Sequence, residues 1–106
     1  MTVLLRGSGM VDAHDRAVHN IEVPRQSVHT LNVLLHDRDR AGLKLVVLDS
    51  DNRQLFYGVS SAASAYQVRG EFQTPAGSHT LRIRVSSPQE FKTQFHIVVA
   101  DNLHEL

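Results

Sequence analysis

The sequence predicts an all-β protein: an antiparallel two-sheet β-sandwich of about eight strands, of the jelly-roll or immunoglobulin-like kind. Three observations lead there. In the last third of the chain apolar and polar residues alternate. Tyr66, Val68 and Phe72 face Gln67, Arg69, Glu71 and Gln73; Leu81, Ile83 and Val85 face Thr80, Arg82, Arg84 and Ser86; Phe91, Phe95, Ile97 and Val99 face Lys92, Gln94 and His96. A period of two belongs to an extended strand with one wet and one dry face. Short apolar runs also recur along the whole chain, separated by turn residues, as in sandwiches and barrels. Two middle runs, Val28–His36 and Leu43–Asp49, are apolar on both parities (Leu34 with Leu35, Val46 with Val47). Such strands are central and covered on both sides, which fits a sandwich better than a small closed barrel.

The elements follow in order. Thr2–Arg6 reads as a short apolar strand closed by a Gly7-Ser8-Gly9 turn. Met10–Arg16 is polar and reads as a loop, with Asp12 able to cap one helical turn. Val18–Val23 is a second strand ended by Pro24, which cannot donate to a ladder. The two doubly apolar runs are the third and fourth strands. Asp49-Ser50-Asp51-Asn52 is a turn whose side chains bond their own backbone. Leu55–Tyr57 is a brief fifth strand, and Gly58–Ser64 a loop, unless Ser61-Ala62-Ala63 makes a helical turn. The three alternating strands complete the chain, the first pair joined by Thr74-Pro75-Ala76-Gly77-Ser78.

Length and composition set the bounds. The 106 residues make one domain, 1–106. Eleven basic and eleven acidic side chains cancel, so no long-range field draws in nucleic acid or an acidic membrane. The absence of cysteine removes disulfides, thiolate metal sites and cysteine nucleophiles. No apolar run approaches the roughly 20 residues that span a bilayer, and Met-Thr-Val-Leu-Leu-Arg lacks the pattern of a signal peptide. The expected location is cytoplasmic for a complete chain and secreted for a domain excised from a larger protein.

Antiparallel connections place successive loops at alternating ends, which decides which polar groups can meet. Asp37 and Asp39 are separated from Asp49 and Asp51 by one strand, about 20 Å at ~3.3 Å per residue, so the four cannot form one calcium cage. Ala41 and Leu48 also stand where a calcium loop needs ligands. The loops Gly7–Arg16, Asp37–Gly42, Gly58–Ser64 and Ser87–Glu90 share an end. They gather Asp12, His14, Asp15, His36, Asp37 and Asp39, a set suited to a divalent metal or to general acid–base chemistry. Arg16, Arg38 and Arg40 can neutralise the same carboxylates locally, in which case these are ordinary loop tips. Seven histidines fall on different elements without ligand spacing, and His29 shares the inward parity of Leu31, Val33 and Leu35. The second candidate is the outward face of the last two strands. If they pair, Arg82 and Arg84 lie beside Lys92, Gln94 and His96, and like charges on neighbouring strands cost up to ~1 kcal/mol unless something neutralises them. Glu71 can do so internally; a bound anion, an acidic partner or a glycan carboxylate is the functional version. Stacking aromatics for single-stranded nucleic acid are lacking on this face. No Gly-x-Ser-x-Gly elbow, phosphate loop or dinucleotide fingerprint is present.

From about Ile21 to Ala100 the chain resembles the bacterial pre-peptidase C-terminal type of β-sandwich module. The residues concerned are Leu45-Val46-Val47-Leu48-Asp49-Ser50-Asp51-Asn52 and Thr74-Pro75-Ala76-Gly77-Ser78-His79-Thr80-Leu81-Arg82-Ile83. The resemblance implies a non-catalytic accessory domain attached to or assisting secreted enzymes.

The resulting expectation is a non-enzymatic binding or assembly module without cofactor or metal. It presents a polar sheet face, with Arg82, Arg84, Lys92 and His96 as the binding residues, to a protein or carbohydrate partner. The alternative is a small metal-dependent or carboxylate-assisted enzyme using Asp12, His14 and Asp37 at one end of the sandwich. A third reading has Thr2–Arg6 adding as an edge strand to a second copy of the chain.

Overall fold

The computed structural model describes residues 3–23, 29–75 and 80–101. Pro24, the turn residues Ala76, Gly77 and Ser78, His79, His104 and the side chain of His29 lie outside them. The described residues form eight strands: β1 (Val3–Val11), β2 (Arg16–Glu22), β3 (His29–Asp37), β4 (Lys44–Leu48), β5 (Gln54–Val59), β6 (Gln67–Thr74), β7 (Thr80–Ser86) and β8 (Thr93–Ala100). A 3₁₀ turn at Ala62–Ser64 follows β5. Sheet A has the order β1-β8-β3-β6 and sheet B the order β2-β7-β4-β5, with every pairing antiparallel. The chain changes sheet at every connection except β4–β5. This is a jelly roll, the double-sheet solution to covering strand edges.

The core fills the space between the sheets. Leu31, Val33 and Leu35 of β3 and Phe95, Ile97 and Val99 of β8 meet Leu45 and Val47 of β4 and Leu81, Ile83 and Val85 of β7. Within the strands the alternation therefore marks the inner face correctly, but Tyr66, expected on that face, lies before β6 in a left-handed turn. β3 and β4 are central, as their double apolar parity requires. Their outward apolar residues are buried without a third layer: Leu34 joins Val98 and Ala100 on sheet A, while Val46 and Leu48 are buried on sheet B. Long side chains of neighbouring strands supply such cover. Two buried polar atoms, His19 Nε2 and Thr93 Oγ1, have no hydrogen-bond partner among the described residues. His19 sits edge-on to Phe95, with ring centroids 6.0 Å apart.

Three sequence expectations need correction. Gly7-Ser8-Gly9 is not a turn but lies inside β1, opposite Ile97, His96 and Phe95 of β8. A Cβ on Gly9 would stand 2.7 Å from Phe95 Cζ, so the glycine admits a ring rather than bending the chain. Phe91 does not continue the inward parity of β8. The strand starts at Thr93, whose side chain is fully buried, and Phe91 is half exposed in the preceding loop. Finally, β7 and β8 do not pair. β7 lies between β2 and β4, and β8 between β1 and β3, because the link Ser87–Lys92 crosses from one sheet to the other.

Candidate functional site

Register builds the outward face of sheet B row by row. One row runs Arg16, Ser86, Lys44, Val59; the next Val18, Arg84, Val46, Tyr57; the third Asn20, Arg82, Leu48, Gln54. Leu81, Ile83 and Val85 point inward, so Arg82 and Arg84 must point out. Val46 and Leu48 are buried, but the apolar residues towards both edges are not: Val18, Tyr57 and Val59 are 46%, 50% and 47% exposed. Four cations stand among them (Arg16, Arg82, Arg84 and Lys44), against Glu22 at the end of β2. Arg82 Nη1 donates to Asn52 Oδ1 at 3.2 Å, and Lys44 Nζ lies 5.9 Å from the Tyr57 ring centroid. No described group bonds the Arg84 guanidinium.

Of the four residues singled out in the sequence, Arg82 and Arg84 share this face. His96 lies on the outward face of sheet A, on the opposite side of the sandwich. Lys92 is in the loop before β8, 3.7 Å from Asp12. The single patch expected from a β7–β8 hairpin is thus divided between the two sheet faces and the loop before β8.

The four loops expected at one end do meet there. His14 N donates to Gln89 O, Ser87 N to Asp15 O, and Gln89 Nε2 to Ala41 O at 2.8 Å. Their acidic groups are nevertheless engaged one by one. Asp37 is buried and accepts from the amides of Ala41 and Gly42 (3.0 and 2.8 Å), the hydroxyl of Ser60 (2.6 Å) and, more weakly, the amide of Leu43 (3.3 Å). Burial pushes its pKa up, but the hydrogen bonds from Ala41, Ser60, Gly42 and Leu43 outweigh it, and the pKa lies below the ordinary carboxylate value. Asp39 accepts from the Gln94 amide at 2.6 Å, and His14 Nε2 is 3.8 Å from Glu90. Among the described residues no group of three or more His, Cys, Asp or Glu is placed to hold a metal ion. Asp37 is a clasp between loops, which leaves the set Asp12, His14 and Asp37 without a shared centre.

Asp49 does similar work at the other end. It accepts from the amides of Asp51 and Arg53, both at 2.8 Å, and from Arg53 Nε at 2.9 Å. Burial again opposes these bonds and again loses, so this pKa is lowered too.

On sheet A the register sets His96 directly opposite His36, in a row that continues to Ser8 on β1 and Gln67 on β6. The imidazole centroids are 6.4 Å apart. Ser8 Oγ lies 3.1 Å from His96 Nδ1. A cavity of about 300 Å³ opens beside them, lined by His36, Asp37, Arg38, Ala65, Tyr66 and His96.

Sequence reasoning missed Lys44, Val18, Tyr57 and Val59 on sheet B and His36 as the neighbour of His96. Their common signal is parity: each sits on the outward phase of its strand. Parity assigns a face but not a neighbour, and only the pairing makes these residues contiguous.

No family model matches the chain, and no curated protein matches it significantly in sequence. Solved structures do match in shape. The pre-peptidase C-terminal domain of collagenase from Bacillus anthracis superimposes with a TM-score of 0.73 at 13% identity, over 92% of this chain and 89% of that one. The Yersinia pseudotuberculosis-derived mitogen gives 0.67 at 9% identity, over 93% and 86%. PliG of Aeromonas hydrophila, a periplasmic inhibitor of g-type lysozyme, gives 0.62 at 13%, over 92% and 85%. With strand order, core and end loops in place, the chain has the β-sandwich fold of the pre-peptidase C-terminal domain, and at these identities the likeness is one of fold.

Proposed function

We propose that the protein is a non-catalytic binding module whose outward face on sheet B docks an acidic surface of a protein partner. One observation carries this reading: Val18, Tyr57 and Val59 stay half exposed on a regular sheet face, interleaved with Arg16, Arg82, Arg84 and Lys44. Arginine and tyrosine are the residues that concentrate binding energy at protein interfaces, and an excess of cations selects a partner of opposite charge. The Arg82 and Arg84 expectation thus persists with new companions, Lys44 and Tyr57 in place of Lys92 and His96. Support from the fold is of a general kind: the same architecture serves a lysozyme inhibitor and, at a TM-score of 0.50, a carbohydrate-binding module in complex with cellotriose. A protein partner suits this face better than a neutral sugar, because Lys44 already lies over the Tyr57 ring on which a sugar would stack.

The test is a paired capture experiment with the wild type and the double variant Arg82→Glu, Arg84→Glu. The double variant should melt within a few degrees of the wild type. It should lose the protein that the wild type retains, and that protein should elute from the wild type as salt is raised. Equal retention by both baits, or retention of neutral oligosaccharide alone, rejects the proposal.

A further inference from the structure

We propose that the cavity beside His36 and His96 on sheet A binds an oxyanion carried by a small molecule: a phosphate, a sulfate or the carboxylate of a sugar acid. The site is on the opposite sheet from the docking face and does not depend on it.

The argument begins with what the lining can offer. Asp37 is the carboxylate in the lining, and its oxygens are taken by Ala41, Gly42, Leu43 and Ser60. The other polar groups there are donors or groups that become donors on protonation: two imidazoles, the Arg38 guanidinium and the Tyr66 hydroxyl. Among the described residues no group of three or more His, Cys, Asp or Glu is placed to hold a metal there, and the lining suits an anion, since guanidinium and imidazolium make short, charge-assisted hydrogen bonds to oxyanions. Ser8 bonds His96 Nδ1 and leaves Nε2 without a partner among the described residues.

The surroundings agree in sign. Arg6 of β1 and Arg69 of β6 end the adjacent row, on either side of Val98 and Leu34. Arg40 stacks on Tyr66 with its guanidinium carbon 5.8 Å from the ring centroid. The described carboxylates Glu71 and Asp39 do not line the cavity. Glu71 pairs with Asn32, four residues along β3 from His36, or about 13 Å away. Asp39 is held on the Gln94 amide. Two imidazoles directly opposed on neighbouring strands repel once both are protonated, and a bound anion between them removes that repulsion.

The backbone holds the pocket in shape. Ala65 and Tyr66 adopt successive left-handed conformations, with φ of 55° and 57°. These are uncommon for residues with a side chain. The turn is held by Tyr66 N donating to Ser61 O at 2.8 Å and Asp37 N donating to Tyr66 O at 2.9 Å. Tyr66 is thereby tied to the end of β3, beside His36. The volume of about 300 Å³ exceeds what an inorganic ion fills and lies at the lower end for organic ligands.

The test follows the imidazole resonances of the full chain by NMR while inorganic phosphate, glucuronate and neutral glucose are added separately. Phosphate or glucuronate should shift the His36 and His96 signals saturably, and which of them binds more tightly tells the source of the oxyanion. Glucose should leave the signals in place. Arg38→Gln, an exposed change that leaves Asp37 intact, should weaken binding about tenfold or more, a loss of one charge-assisted contact. His36→Gln should also weaken binding, since it removes one of the two imidazoles that face the cavity. Shifts that do not saturate, binding indifferent to Arg38→Gln, or a response to zinc but to neither anion would overturn the assignment.

Discussion

The two outward faces of the sandwich solve one problem in different ways. Each has apolar residues on its central strands, facing away from the core. On sheet A these are Leu34, Val98 and Ala100, and the next row turns to Ser8, His96, His36 and Gln67. On sheet B, Val46 and Leu48 are buried, but the apolar character continues outward to Val18, Tyr57 and Val59, which remain exposed. On its central strands sheet A is a closed apolar strip bordered by hydrogen-bonding groups, with exposed apolar residues (Val3 and Met10) confined to the edge strand β1. Sheet B is an apolar field with cations set into it. The first suits recognition of a small polar ligand, and the second suits a broad contact in which greasy area and charge act together.

Inside, the two sheets are equivalent, and that sets the scale for any test of the contrast. Ile83→Asp on sheet B or Ile97→Asp on sheet A should each cost about 4 kcal/mol or more, enough to abolish cooperative thermal unfolding followed by circular dichroism. Survival of either variant as a native fold would mean that the two layers do not share one core.

Next in size is the clasp. Asp37→Ala strands buried donors and should cost about 3 kcal/mol. Asp49→Ala should cost less, about 1–2 kcal/mol, because one of its donors, the Arg53 side chain, is mostly exposed and can turn to water. Both carboxylates titrate below their ordinary value in the fold. They therefore stabilise it fully above the unfolded-state value, and the contribution is lost as acidification carries the pH down through the folded-state value. Denaturant midpoints should fall below roughly pH 4, and Asp37→Asn should make that acid limb shallower. An unchanged acid limb would show that the clasp does not govern acid stability.

The smallest effects separate the faces themselves. Leu34→Ala on sheet A and Leu48→Ala on sheet B should both cost about 2 kcal/mol, since both side chains are buried. Val18→Thr and Tyr57→Ala should stay within about 0.5 kcal/mol. Should Tyr57→Ala cost as much as Leu48→Ala, the tyrosine would be a cover for the sheet, and the contrast between the faces would disappear.

How much of this the sequence discloses follows from what a period of two contains. Alternation fixes the inward set, so Leu81, Ile83, Phe95 and Ile97 were legible as core. Double parity fixed β3 and β4 as central. Alternation does not name a strand's neighbour. A short link such as Ser87–Lys92 serves a hairpin or a crossing between sheets equally well, which is why Lys92 and His96 were expected beside Arg82 and Arg84. Gly7-Ser8-Gly9 is ambiguous for a related reason: glycine marks both bends and close approaches, and the ring of Phe95 that decides between them is distant in sequence. The candidate faces were less legible than the core, because a face is made of rows and each row draws one residue from each of four strands.

The strand order has a consequence for how the molecule is made. The last two strands in the sequence, β7 and β8, occupy interior positions, one in each sheet. A nascent chain that has reached only β6 holds β1 apart from β3–β6 and β2 apart from β4–β5, with nothing to join them. Sheet B becomes continuous only when β7 is made, through Ser86, and sheet A only when β8 is made, through Ala100, so both layers close late, and a cut before Thr80 removes the keystone of each.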